Sequence, residues 1–337
     1  MPCLVLALAA FSAFAGPLRA QGTLSFIDRP DVVQFANEIA TAHRFDVPNV
    51  LQTLRQARHQ PAIIRAMEPV RTGQRSWQSY RSRTVTRSRI EDGARFWVDH
   101  QAALARAEDR FGIPAEIIVA IIGVETHYGR NTGTWRVLDA LATLAFDYPR
   151  RSAYFRSELE QLFLYARETG TEIATLRGSF AGAVGIPQFM PGSFMRYAID
   201  FDGDGRRDVL NNVADAIGSV GNFLSRHGWL ANEPIAFPAT VSGDAHALPL
   251  LAGIEPAFRI GELDQYGITL AASPDEDALC ALIEFDTPDA PSEFWVGLNN
   301  FYVITRYNQS SFYALSVHTL AQSIKAEAGL RGIRSAQ

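Results

Sequence analysis

Cysteine and lysine are almost absent from this chain. Of its 337 residues only Cys3 and Cys280 are cysteines, which excludes a disulfide framework and metal sites built from cysteine pairs. Cys280 lies in the apolar stretch 278–283 and reads as a small buried hydrophobe rather than a nucleophile. Lys325 is the only lysine among 31 cationic side chains, a bias taken first as genomic and only second as chemistry. The formal net charge of −5 gives no reason to expect a nucleic-acid partner. The seven histidines show no metal-ligand spacing, and there is no G-x-S-x-G, phosphate-binding loop or dinucleotide fingerprint. Internal repeats and low-complexity tracts are missing as well.

What is present is an ordinary globular balance, 47% apolar and 20% charged. At roughly 100–200 residues per domain the chain has room for two or three folding units. The run from Leu4 to Gly16 is apolar and small. It is shorter than the ~20 residues of a spanning helix and fits the core of a secretory signal. Ala13-Phe14-Ala15 and Leu18-Arg19-Ala20 are candidate cleavage sites, although no Lys or Arg precedes the run. Residues 1–20 are therefore expected to be a signal peptide, with an N-terminal buried helix as the alternative. Cys3 precedes the apolar run, so no lipid-attachment context is visible, and no later segment is long enough to span a bilayer.

Residues 24–110 read as mostly helical, with an apolar stripe at Val32, Val33, Phe35, Ala36 and Ile39 after Pro30 and Asp31. Between Arg71 and Arg89 stand six arginines and no acid, and the β-branched and aromatic residues there predict an extended connection. A solvated face is the first reading of that run, and contact with an anionic polymer the second. Residues 111–128 predict a helix with Pro114 in its first turn, apolar over most of its surface and hence central. Further helices are expected at 154–168, 213–227 and 310–328, and 178–205 reads as a structured loop. Residues 231–300 carry short β-prone runs at 266–270, 279–285 and 294–296.

Glu125 is the candidate acid. Ile118, Ile121 and Ile122 precede it by seven, four and three positions and share its helix face. A carboxylate there is costly unless paired or protonated, and desolvation raises its pKa toward that of a general acid. A structural carboxylate bonded to an arginine or a helix end is the alternative. His127 reads as a local contact rather than a catalyst. Asp200-Phe-Asp202-Gly-Asp204-Gly205 opens like an EF-hand calcium loop, with Arg206 at position 7 offering a carbonyl. Asn211 stands at position 12 where a bidentate Glu is usual, and Asp215 lies further on as another closing ligand. A lone loop argues for a structural ion rather than a sensor; an Asp/Gly-rich turn that binds nothing is the alternative.

Six strings occur in order: Gly123-Val-Glu-Thr-His-Tyr-Gly129, Phe146-Asp-Tyr-Pro-Arg-Arg151, Gly178-Ser-Phe-Ala-Gly-Ala-Val-Gly-Ile-Pro-Gln-Phe-Met-Pro191, Asp200-Phe-Asp-Gly-Asp-Gly205, Asp215-Ala-Ile-Gly-Ser-Val220 and Asn300-Phe-Tyr-Val-Ile-Thr-Arg-Tyr-Asn308. Together they resemble the lytic murein transglycosylase B family, glycoside hydrolase family 103, over about residues 25–325 and most weakly over 231–293. The resemblance implies an α+β, mainly α fold. A signal peptide (1–20) would precede a helical domain (24–95, with a C-terminal helix 318–337 packing nearby). A lysozyme-like catalytic core with the calcium loop (96–230) would follow, then a small inserted β-rich domain (231–293) and a return to the core (294–317).

It also implies cleavage of the β-1,4 bond between N-acetylmuramic acid and N-acetylglucosamine, leaving 1,6-anhydro-muramoyl ends. Glu125 would be catalytic. Ser179 and Gln188 would hold the acid and the acetamido group, and Tyr307, Asn308 and Tyr313 would orient the sugar. Tyr80 and Tyr154 would be saccharide platforms, and Arg150 and Arg151 would meet stem-peptide carboxylates. Phe223 stands where the family has a tyrosine and would lack that hydroxyl; for each aromatic, core packing is the alternative. Asp200, Asp202, Asp204, the Arg206 carbonyl and Asp215 would bind a structural Ca2+, with no organic cofactor. The expected partners are peptidoglycan strands and stem peptides, with cell-wall synthesis enzymes as further candidates and no nucleic acid. The expected location is periplasmic, with outer-membrane association a further candidate. A muramidase that admits water, a non-catalytic peptidoglycan-binding protein and a calcium-responsive binder are the rivals. The first would need a second carboxylate facing Glu125.

Overall fold

The structure, a computed structural model, describes residues 26–68, 76–272, 274–287 and 290–330. The expected signal peptide, Cys3, Arg71, Arg75 and the end of the expected C-terminal helix (331–337) lie outside the described residues. Helices α1 (Pro30–His43), α2 (Val47–Arg55), α3 (Pro61–Met67), α4 (Trp77–Thr84), α5 (Arg87–Asp99) and α6 (Gln101–Phe111) come first. They are followed by α7 (Ala115–Thr126), α8 (Val137–Asp147), α9 (Ser152–Thr169), α10 (Pro191–Tyr197) and α11 (Val213–Arg226). A short α12 (Ala247–Leu251), then α13 (Asn299–Tyr307) and α14 (Ser311–Leu330), complete the helices. Strands β1 (Trp135–Arg136) and β2 (Arg177–Gly178) form an antiparallel pair. Strands β3 (Ala236–Val241), β4 (Phe258–Arg259), β5 (Ile268–Leu270), β6 (Leu279–Phe285) and β7 (Glu293–Gly297) form an antiparallel sheet in the order β4-β6-β7-β3-β5. The α+β, mainly α class agrees with the sequence. No helix among the described residues is long and apolar enough to cross a membrane.

Local chemistry sets many of the boundaries. Asp46, Ser76, Thr86 and Asn212 accept backbone N–H bonds at the starts of α2, α4, α5 and α11. Gly112 ends α6 in a left-handed turn, so Phe111 belongs to α6, and Pro114 precedes α7 rather than lying in its first turn. Every residue from Ala115 to Gly123 is buried. α7 packs against α5, α6, α11 and α14, which makes it the central helix expected from its isoleucines.

Three expectations need correction. The arginine-rich stretch is not an extended connection: its described part forms α4 and the start of α5. Trp77 and Tyr80 face the core one turn apart, and the β-branched Thr84, Val85 and Thr86 are concentrated at the joint between the two helices. The segment 178–205 is not loop throughout, because Pro191 starts α10. Strand β3 was not among the predicted runs. Its Pro238 pairs with Trp295 of β7, whereas β5 covers only Ala239 to Val241, so the proline sits where the outer side of β3 is open. The sheet has its own apolar cluster, which includes Ile260, Ile268, Cys280, Leu282 and Val296.

Candidate active site

Glu125 projects from the last turn of α7 and is half-buried. Burial pushes its carboxyl up to about 7, against a smaller downward pull from one hydrogen bond. That bond comes from Tyr313 Oη on α14, which donates to Glu125 Oε1 at 2.7 Å. No other side chain among the described residues hydrogen-bonds Glu125, and no second carboxylate perturbs it. Tyr307, at the end of α13, lies nearly parallel to Tyr313, with ring centroids 6.4 Å apart and an interplanar angle of 12°. Burial and the Glu125 charge raise both phenols well above their usual range. Tyr80 of α4 joins this group through its electrostatic coupling to the Tyr313 phenol and through the Phe312 ring at 5.8 Å. The wall beside the acid thus comes from α4, α13 and α14, far from Glu125 in sequence.

The glycine-rich loop closes the other side. Tyr307 Oη donates to Pro187 O at 2.6 Å, and Thr126 Oγ1, next to the acid, donates to Ile186 O at 2.8 Å. These two bonds dock the loop onto α13 and onto the end of α7. Gln188 adopts a left-handed backbone (φ 52°), and its Nε2 donates to Thr132 O at 3.0 Å and Gly185 O at 2.9 Å. Ser179 Oγ accepts from Ala183 N at 3.0 Å within the turn 179–183. Gly133 must be glycine here: its φ is 98°, and a Cβ would lie 2.1 Å from the backbone of Gly178.

The other expected residues are placed less uniformly. Asn308 ends α13 beside Tyr307. Phe223 is only 5% exposed; it stacks on His227 at 4.1 Å and packs behind Tyr307 at 4.7 Å. As a substrate contact it is corrected to a backing residue, because its ring face is already covered. Arg150, Arg151 and Tyr154 cluster around the start of α9, and none of them is a hydrogen-bond or charge partner of Glu125. Tyr154 is 39% exposed, with the Arg151 guanidinium 4.4 Å above its ring, and Arg150 lies 3.9 Å from Glu68. His127 is a local contact, with Nε2 2.7 Å from Asp92 Oδ2. Thr126 and Pro187 went unrecognised as site residues. Both lie inside the quoted motifs, but neither residue type signals the backbone bond it makes. Cavities of about 380 and 450 Å³ elsewhere are walled by none of these residues.

The acidic loop brings Asp200, Asp202 and Asp204 together, with one carboxylate oxygen of each within 4.8 Å of the others. Gly203 and Gly205 make the turns at φ 84° and 86°. Three converging hard oxygen donors suit a calcium-sized cation. Arg206 N donates to Asp204 Oδ1 at 2.8 Å, which fixes the next peptide of the loop. Asp215 does not join the three carboxylates. It is fully buried, and its oxygens accept from Phe201 N at 2.7 Å and Asp208 N at 2.8 Å. Its expected role as closing ligand is corrected: it staples the two ends of the loop to α11.

Residues 28–322 match the family described as transglycosylase SLT domain. The chain is 39% identical over 308 residues to the membrane-bound lytic murein transglycosylase B of Escherichia coli strain K12, covering 89% of this chain and 84% of that one. It is similar to the catenated lytic transglycosylase SltB1 of Pseudomonas aeruginosa, with a TM-score of 0.85 and 41% identity over 90% of this chain and 100% of that one. It is also similar to the Escherichia coli lytic transglycosylase Slt35 solved in complex with calcium, with a TM-score of 0.80 and 37% identity over 90% of this chain and 95% of that one.

Proposed function

The chain belongs to the transglycosylase SLT domain family, and from that premise we propose that Glu125 makes both proton transfers of its reaction. The chain is a peptidoglycan lytic transglycosylase with a lysozyme-like fold. Its reaction breaks the β-1,4 bond after N-acetylmuramic acid and leaves a 1,6-anhydro end.

Protonated Glu125 gives its proton to the glycosidic oxygen as the bond to C1 breaks. The acetamido oxygen of the same sugar shares the positive charge that develops at C1. The Glu125 carboxylate then takes the proton of the C6 hydroxyl, whose oxygen attacks C1 and closes the anhydro ring. The carboxyl is thereby returned to its starting state. Because the nucleophile belongs to the substrate, no water needs to be activated, and the attack gains the advantage of an intramolecular step. The observation that carries this reading is a single carboxyl held near neutral pKa with one tyrosine donor and no carboxylate partner. A hydrolase using paired carboxylates would place the second within about 5–10 Å of the first.

The remaining residues have roles in holding the sugar. Both protons of Gln188 Nε2 are engaged by backbone carbonyls, which leaves Oε1 to accept the acetamido N–H. Ser179 Oγ retains a proton to donate. Tyr80, Tyr307 and Asn308 line the sugar; Tyr313, only 1% exposed, orients it through the carboxyl it holds; and Arg150, Arg151 and Tyr154, at the start of α9, would meet stem-peptide carboxylates. Asp200, Asp202, Asp204 and the Arg206 carbonyl would hold a Ca2+ that braces the loop. Peptidoglycan places the enzyme in the cell envelope, and the N-terminal segment supports export to the periplasm.

Mass spectrometry of purified peptidoglycan digested by the wild type and by Glu125→Gln tests the assignment. Anhydro-muramoyl products from the wild type alone support it. Reducing ends instead would require a hydrolase with a second carboxylate, and products from both proteins would remove Glu125 as the acid.

A further inference from the structure

The turn that follows Glu125 is unusual. His127, Tyr128 and Gly129 have φ of 51°, 62° and 84°, three left-handed residues in a row, two of them carrying side chains. Such a conformation is unfavourable and persists only where the surroundings over-determine it. Here the surroundings are largely one face of α5. Arg89 Nε donates to Gly123 O at 2.9 Å, two residues before the acid, while its Nη1 donates to Arg83 O and Thr84 O at 2.7 and 2.8 Å. Asp92, 5% exposed, takes His127 Nε2 at 2.7 Å and Arg130 Nη1 at 2.5 Å, and also pairs with Arg95. Tyr128 Oη donates to Arg89 O at 2.7 Å, and its ring lies 5.4 Å from that of Phe96. The slot for Tyr128 exists because Gly93 and Gly123 lack side chains: a Cβ on either would lie 2.5 or 2.6 Å from the hydroxyl. Arg89, Asp92, Gly93 and Phe96 are spaced i, i+3, i+4 and i+7, a single helix face.

We propose that this face of α5 is a positioning device for the catalytic carboxyl, with Asp92 as its central positioning residue. None of these side chains bonds to Glu125; they fix the backbone on both sides of it. The only side-chain hydrogen-bond partner of Glu125 among the described residues is Tyr313, on a different helix, so the aim of the carboxyl is set largely by the end of α7. One carboxyl must reach two oxygens in turn, the glycosidic oxygen and the C6 hydroxyl, and a misplacement of about 1 Å is expected to cost about 100-fold. The αL turn and its α5 clamp hold that geometry before substrate arrives.

The proposal rests on Glu125 as the acid and is tested with the full chain. Asp92→Asn keeps the shape of the side chain and removes its charge. Its kcat on uncrosslinked glycan strands is expected to fall about 10- to 100-fold with KM little changed. The alkaline limb of the kcat profile is expected to move, because the carboxyl meets a different surrounding. In a Glu125→Gln background the same change is expected to have no further effect on residual activity. A fall in Tm with kcat, KM and pH profile all at wild-type values would overturn the proposal and leave a structural brace. If Asp92→Asn does not fold, Tyr128→Phe decides, since it removes only the hydroxyl bond to Arg89: the same kcat-over-KM split supports the device, and wild-type kinetics overturns it. Absence of anhydro products from the wild type would defeat the functional reading instead, so the two failures are distinct.

Discussion

Glu125 is subject to two opposed influences, and each gives a measurable outcome. Burial raises its pKa to about 7, while the Tyr313 hydroxyl, by bonding to the charged form, lowers it. The general acid must be protonated, so kcat/KM is expected to fall as pH rises through about 7. Tyr313→Phe removes the lowering bond, so the alkaline limb should move upward even as the rate drops from the loss of a positioning contact. A downward movement would show that the hydroxyl holds the neutral acid instead. Stability has its own sign. The unfolded carboxyl ionises near 4.5 and the folded one near 7, so between these values the folded state binds more protons and loses stability as pH rises. Above pH 7 the cost is on the order of 1–3 kcal/mol, allowing for partial solvation. Glu125→Gln should therefore be inactive yet melt higher than the wild type at pH 8, with the gap closing toward pH 4.5. Equal melting points at both pH values would mean that the carboxyl is well solvated.

At the scale of elements, the glycine-rich loop works because it is rigid. A Cβ on Gly178 would stand 2.1 Å from Ala183 O, a backbone atom that cannot swing aside, and one on Gly182 would meet Leu141 Cδ2 at 2.5 Å while φ is 92°. Gly178→Ala is expected to destabilise by about 1–3 kcal/mol and to lower activity by more than the loss of folded protein explains, because Ser179 and the loop that carries Gln188 must shift. Thermal melting read beside kcat on the folded fraction checks this, and an unchanged kcat would mean that the loop tolerates the displacement. This loop also shows where sequence reading reaches and where it stops. α7 was legible because its isoleucines leave no polar face, and the convergence of Asp200, Asp202 and Asp204 because alternating Asp residues with Gly is a local pattern. α4 was not, because its helix is held by a Ser76 cap and by Trp77 and Tyr80 packing on distant partners, including Phe285 and Phe312. Strand β3 was obscured by a proline that its open flank permits. The Tyr313–Glu125 bond spans 188 residues, so no local periodicity reveals it; only the ordered motifs placed both residues in one site. The role of Phe223 was misread because a motif position says nothing about which face of a ring is covered.

For the whole molecule, the question is what the acidic loop contributes to the enzyme. The loop lies between α10 and α11, and α11 packs on α6, α7, α10 and α13, so its order is coupled to the core rather than to a free edge. The loop also meets the active site: Ile186 N donates to Val209 O at 2.9 Å, and a Cβ on Gly185 would lie 2.4 Å from the same oxygen. That contact, however, is anchored by Asp215, which holds Asp208 N and Phe201 N without help from Asp200, Asp202 or Asp204. A cation at the three converging carboxylates would therefore stabilise the folded chain without setting the active-site loop. Binding to the folded state alone adds about 2.7 kcal/mol at a hundred times Kd, which for a chain of this size is a rise in Tm of roughly 4 °C. Calcium titration followed by melting should show that rise, and EDTA should reverse it. Asp202→Asn, at an exposed carboxylate, should abolish the rise while leaving kcat at 25 °C within about twofold, since no step of the chemistry passes through the loop. Asp215→Asn should behave differently, lowering Tm and kcat together even without calcium, because it releases Asp208, Val209 and through them Ile186. If chelation lowers kcat while Tm stays fixed, the division is wrong and the ion acts on the catalytic loop itself.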